Sequence, residues 1–249
     1  MKRLYLKLLL IGLFGIAMAA LEAIVVVYLR HMYYPHGFSF PLSQASRLVL
    51  SEELVREAAT LVMLVSVGFL AGKGFIRGVS WFLMTFGIWD SFYYVWLKIF
   101  LDWPSSLLTW DLLFLIPVPW AGPVLAPVIC SLTMIVLSFW MIYLTENEYV
   151  VKIKVFEWVL GLFGASAILF TFIKDYSALL IKQGVYAGLN PLTDRVPIRE
   201  VMAQFSPQQY NWLIFTLGEV LIIGAFLSVV RRARRLKAQD RRSRPSFIL

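Results

Sequence analysis

Histidine, cysteine and charge are all scarce in this 249-residue chain, and each shortage removes a class of function. Cys130 is the single cysteine, so an intrachain disulfide and thiol–disulfide exchange are both excluded. The two histidines, His31 and His36, fall outside every long apolar run. Paired axial imidazoles for an intramembrane haem therefore have no residues to supply them, nor do the histidine boxes of a membrane oxygenase. No His-Glu-x-x-His, Gly-x-Ser-x-Gly or phosphate-cradling glycine loop occurs, which removes zincin, nucleophile-elbow and P-loop chemistry. Charged residues make up 15% of the chain, against about 25% in an average soluble protein, too few to cover a water-facing surface.

What is abundant fits a bilayer. Hydrophobic residues reach 60% and aromatics 16%, with a mean hydropathy of +0.75. A spanning helix needs roughly 20 apolar residues at about 1.5 Å rise each, and six stretches approach that length: 8–29, 50–72, 79–101, 124–144, 156–173 and 212–230. The expected fold is an all-α integral membrane protein, a bundle of six transmembrane helices forming one domain over 1–230 with an external cap at 174–210. A basic cytoplasmic tail follows over 231–249. The first span has features of a signal peptide, with Lys2 and Arg3 ahead of it and Ala17-Met18-Ala19 inside it. Its apolar run continues through Ile24, Val25, Val26 and Val27, so an uncleaved anchor is expected.

Orientation follows from the basic residues, because Lys- and Arg-rich loops resist translocation. Fifteen of the 23 fall at the N-terminus, the second-to-third and fourth-to-fifth loops, and the C-terminal tail. That side is expected to be the cytoplasmic face of a bacterial-type inner membrane, with both termini inside and an even number of spans. The arginines of the tail have no interleaved aromatics before Phe247. The tail thus reads as a stop-transfer signal and solvated segment, with anionic lipid headgroups as the alternative partner and nucleic acid not expected.

The acids inside the spans carry the functional reading, since a carboxylate in hydrocarbon costs from about 2.5 kcal/mol upward and needs a partner or a task. Glu22, Glu57, Asp90 and Glu219 lie in the first, second, third and sixth spans. Counted from the non-basic ends, all four sit roughly 9 to 17 Å deep, which implies a polar cavity opening outward. Gly15, Ala19, Glu22 and Ala23 form a small-residue stripe that turns Glu22 into the bundle. Glu53, Arg56, Glu57 and Thr60 share one helical face, where Arg56 can neutralise an acid. Tyr93 and Tyr94 follow Asp90 by a turn, and a tyrosine hydroxyl, that of Tyr94 in the functional reading, can donate to it while Lys98 reaches outward. Glu219 has Arg30, Arg56 and Lys98 as possible partners.

Residues 102–127 are the least loop-like connection, with Pro117, Pro119, Pro123 and Pro127 breaking an apolar stretch. A short interfacial helix over 104–110 is expected, then a proline-rich re-entrant or extended segment. Asp111, Trp110 and Trp120 would face the vestibule, with Trp103, Trp110 and Trp120 lining its entrance. Ser206-Pro207-Gln208-Gln209 resembles a helix start, and 196–205 a surface helix. His31 and His36, five apart around a proline, are weak metal candidates, and no metal or cofactor is named by the sequence. An aspartyl mechanism would need Asp90 and Asp111 to meet.

Three functions remain open: proton, cation or small-solute handling in transport; a membrane enzyme or quinone- or lipid-binding subunit at the outer leaflet; and a structural subunit of a larger complex. The acids Glu22, Glu57, Asp90 and Glu219, with Tyr94, Arg56 and Asp111, form the candidate binding set for the first. Partners expected are membrane lipids, further copies or other membrane subunits, and a lipidic or quinone ligand. The topology is testable directly: with Cys130 replaced by Ser, a cysteine placed at Ala187 should react with a membrane-impermeant maleimide from the periplasmic side. Labelling only after the cytoplasm is opened would reverse the orientation.

Overall fold

A computed structural model describes residues 2–182, 200 and 203–243. Its elements are α1 (Lys2–Tyr33), α2 (Arg47–Ala71), α3 (Phe75–Leu101), β1 (Trp110–Phe114), β2 (Trp120–Pro123), α4 (Leu125–Glu146), α5 (Val155–Lys182) and α6 (Trp212–Ser243). Five of the helices, α1, α2, α4, α5 and α6, are long and apolar enough to cross a membrane, and the chain is a polytopic, helical membrane protein. Large apolar side chains stand exposed on these helices, Leu70 and Leu213 by more than four fifths, as a lipid-facing surface requires.

The helix α3 is as long as the others, 27 residues, but less apolar because it carries Trp81, Trp89, Asp90, Tyr93 and Tyr94. Those side chains face protein: Trp81, Trp89 and Tyr94 are buried and α3 packs against α1, α2 and α4. A central helix surrounded by others does not need the hydropathy that lipid contact demands. The small stripe of α1 serves this packing, with Ala19 and Ala23 fully buried and a Cβ at Gly15 meeting Ile88 at 2.9 Å. The Trp96 indole donates to the Ile16 carbonyl at 3.0 Å, fixing α1 on α3.

Helix ends are held by local chemistry. The Ser46 hydroxyl accepts from the Val49 amide at 3.2 Å to start α2. Asn211 accepts from the Ile214 amide at 3.1 Å, so α6 begins at Trp212 and not at the Ser206-Pro207 signal, where the chain is extended or turned. Cations meet the carbonyls at helix C-termini: Lys7 donates to Ala71, Arg77 to Thr145 and Lys237 to Asn147. The basic segment expected as a solvated tail continues α6 to Ser243, and Arg232 within it is ion-paired to Glu157. The expected surface helix over 196–205 lies largely outside the described residues, as does much of the cap.

The connection between α3 and α4 departs from expectation. Residues 104–109 form turns closed by the Thr109 amide on the Ser106 carbonyl, not an interfacial helix. Pro104 cannot donate, and Ser105, Ser106 and Thr109 bond one another and nearby backbone instead of a helical ladder. The chain then makes an antiparallel hairpin with Trp110 opposite Pro123, Asp111 opposite Gly122 and Leu112 opposite Ala121, irregular before the Phe114–Trp120 pair.

Helices α5 and α6 approach each other closely through a pair of glycines. A Cβ on Gly164 would lie 2.6 Å from the Gly218 carbonyl oxygen, and one on Gly218 2.7 Å from that of Gly164. Gly164→Ala should therefore destabilise the protein by about 1–3 kcal/mol through overpacking, read as a lower unfolding midpoint in detergent. Gly161→Ala, with nothing within 4 Å, should leave the midpoint unchanged or raise it.

Candidate functional site

The last three turns of α1, the 34–46 loop, the first half of α2, the second half of α3 and β1 enclose one cleft with a cavity volume of about 160 Å³. Its walls carry Glu22, Glu53, Glu57, Asp90 and Asp111, the guanidiniums of Arg30 and Arg56, and Tyr33, Tyr34, Tyr93 and Tyr94. Apolar residues such as Val26, Leu29, Leu42, Val49 and Leu112 fill the rest. Of the seven residues expected from sequence, six meet here: Glu22, Glu57, Asp90, Tyr94, Arg56 and Asp111.

Glu219 does not join them. It sits on α6 against α4, where the Thr133 hydroxyl donates to it at 2.8 Å. Depth along a helix is readable from sequence, but the rotation of α6 about its axis turned this acid to another interface. The tryptophans also disperse: Trp110 packs on Tyr210 and Trp120 stacks on Phe172 at 6.3 Å, facing α5 and the start of α6. Trp103 lies over the Arg30 guanidinium, 3.8 Å from its ring centroid. His31 and His36 are exposed, and among the described residues no group of three or more His, Cys, Asp or Glu is arranged to hold a metal ion.

Glu22 and Glu53 share one anchor, and the other acids of the cleft have their own. Arg56 pairs with Glu22 and with Glu53 at 2.8 Å, and Thr60 donates to Glu22 at 3.2 Å, joining α1 to α2. Glu57 is not the partner of Arg56; both its oxygens accept from the Leu115 amide, at 3.0 and 2.9 Å. That amide lies one residue past the last ladder pair of the hairpin, so Glu57 meets a donor that strand pairing leaves over. Asp90 accepts from the Ser131 hydroxyl and not from Tyr94, tying α3 to α4. Asp111, fully buried, accepts from Arg30 at 3.0 Å. Asp90 and Asp111 thus share a cavity but are bonded to different partners, so the geometry does not make a proton-sharing dyad.

Two features went unread in the sequence. Arg30 was read only as a possible partner of Glu219, whereas its partner is Asp111, 81 residues away. Glu157, buried at the start of α5, accepts from Ser228 at 2.7 Å and from the Lys154 amide at 2.8 Å, and pairs with Arg232. An acid in the first helical turn with the basic run nearby was the available signal. Outside the spanning segments, Lys98 stands 2.7 Å from Asp102 and holds that carboxyl below its ordinary range by hydrogen bond and charge.

No family model matches the sequence, and no curated protein or solved structure matches it. Fold and composition define the class, a polytopic helical membrane protein.

The role of Glu57 as an acceptor has a measurable consequence. Glu57→Ala leaves the Leu115 amide unmet, at a cost of about 1–3 kcal/mol, and should raise hydrogen exchange across 110–123. Glu57→Gln retains a carbonyl acceptor and should keep wild-type protection there. Equal exchange in all three proteins would show that the hairpin is held by other contacts.

Proposed function

We propose that the chain is a six-span inner-membrane protein with both ends cytoplasmic, whose cavity opens outward and takes up a proton, a cation or a small positively charged solute in a transport or ion-coupled cycle. The observation that carries this reading is the charge imbalance of the cavity wall, five carboxylates against two guanidiniums. Ionised carboxylates in a low-dielectric site repel one another and are costly to bury. A proton or a cationic group entering the cavity relieves that cost, and its release restores it, which is the basis of a coupling cycle.

The sixth span in this reading is α3, whose 27 residues give a length of about 40 Å. The outward orientation rests on the basic residues at the opposite end, among them Lys7, Arg77, Arg232 and Lys237, by the positive-inside rule. The alternative of a lipidic or quinone ligand is supported by the apolar share of the same wall, Val26, Leu29, Leu42, Leu50 and Leu113. The pins made by the acids favour a structural role for each of them singly. They do not account for the excess of negative charge gathered round one space.

Amide substitutions separate the two roles, because Asn and Gln keep an acceptor for Ser131 and for the Leu115 amide while removing charge. In liposomes with a trapped pH dye and an imposed pH gradient, the wild-type protein should pass protons faster than empty vesicles. Asp90→Asn and Glu57→Gln should reduce that flux at least tenfold while unfolding at the wild-type temperature. Wild-type flux in both variants would reject the cavity as the coupling site.

A further inference from the structure

The ion pair on the cavity wall is only half used. Arg30 gives its Nη2 to Asp111 Oδ1 at 3.0 Å, while Arg30 Nη1 has no hydrogen-bond partner among the described residues and Asp111 Oδ2 none in close geometry, the Tyr94 hydroxyl and the Leu112 amide being the further donors beside that carboxyl. The indole Nε1 of Trp89 is a third buried polar atom without one. All three side chains line the same cavity and each residue is more than nine-tenths buried. Buried donors and acceptors in proteins are almost always met, and in a bilayer no solvent at that depth meets them by default. Two donors and one acceptor, left over together on one wall, describe the complement of a ligand.

We infer that the cavity binds a zwitterion, a molecule carrying an ammonium group and a carboxylate or phosphate a few bonds apart, with its anionic end on Arg30 and Trp89 and its cationic end on Asp111. This rests on the cavity being a ligand site and names the class of ligand. A lone cation suits Asp111 but meets the Arg30 guanidinium beside it. A lone anion suits Arg30 but meets Asp111 and the further carboxylates of the wall. A molecule with both charges lies antiparallel to the Arg30–Asp111 pair and meets both, and its ammonium end also faces the acid excess of the cavity. Trp103 at 3.8 Å and Phe38 at 4.5 Å cover the guanidinium as cation–π partners, which holds its planar fork in place with one nitrogen on Asp111.

Two sources carry this chemistry, a free amino-acid-like solute and the headgroup of a zwitterionic phospholipid, and one set of measurements distinguishes them. The purified full-length protein is heated in detergent with glycine, β-alanine, glycine betaine or glycerophosphoethanolamine, and with the single-charge controls propionate and ethylamine. Native mass spectrometry of the same preparation reads retained phosphatidylethanolamine against phosphatidylglycerol. A raised unfolding midpoint with free zwitterions but not with the controls identifies a solute site. Selective retention of phosphatidylethanolamine, displaced by glycerophosphoethanolamine, identifies a headgroup site, and either result supports the inference. Trp89→Phe, which keeps a ring and loses the Nε1 donor, should weaken binding three- to tenfold, and Arg30→Gln should abolish it.

Ethylamine stabilising as well as the zwitterions would overturn the inference while leaving the cation reading intact. Zwitterion binding unchanged in Trp89→Phe and Arg30→Gln would place the ligand elsewhere and overturn it too. No response to any probe, with no lipid retained, would overturn it, and the proton-flux assay would then decide the broader reading by itself.

Discussion

A backbone that turns back among membrane helices must have its donors met by protein or by a water-filled cavity, because lipid meets none of them. In this chain that constraint falls on the 110–123 hairpin, and the Leu115 amide on Glu57 is where it is met. Much of the cavity follows from that contact. With its tip held on α2, the hairpin presents Asp111 to Arg30, and Arg30 in turn carries Phe38 and Trp103 on its guanidinium. The 34–46 loop is closed over the same place, with the Ser43 hydroxyl on the Tyr33 carbonyl at 2.8 Å and the Ser43 amide on the Tyr34 hydroxyl at 2.9 Å. The roof of the cavity is a relay of contacts starting at one carboxylate.

The other acids perform the same service between helices. Glu22 joins α1 to α2, Asp90 joins α3 to α4, Glu219 joins α6 to α4 and Glu157 joins α5 to α6. Hydrophobic burial does not drive helix association in lipid, so such polar contacts and close small-residue packing, as at Gly164 and Gly218, hold the bundle. Of the acids that make these contacts, Glu22 and Asp90 also line the cavity, whose wall gathers five carboxylates and two guanidiniums.

A good part of the architecture was legible along the chain. The apolar runs located the long helices, though α5 and α6 continue past them to Lys182 and Ser243, and the stripe of Gly15, Ala19, Glu22 and Ala23 turns into the bundle, where Gly15 meets Ile88 of α3 and Glu22 meets Arg56 of α2, since helical periodicity decides which residues share a side. The common depth of Glu22, Glu57 and Asp90 was legible for the same reason, because rise per residue converts position into height. The hairpin was not: its strands lie in an apolar, proline-broken stretch with no alternation of polar and apolar residues, so nothing periodic marked their register. The start of α6 was misread because two capping patterns lie five residues apart and only packing selects Asn211 over Ser206.

The sequence by itself determined that this is a polytopic, helical membrane protein and which residues share a helix face, because composition and one-dimensional spacing act on each helix independently. Which charges meet was decided only in three dimensions. The pairs Arg30–Asp111, Glu57–Leu115 and Glu22–Arg56 are 81, 58 and 34 residues apart. They exist because helix rotation and the fold-back of the hairpin bring those side chains to one space. Glu219 was turned to α4 by the same freedom of rotation, which spacing along a chain does not encode.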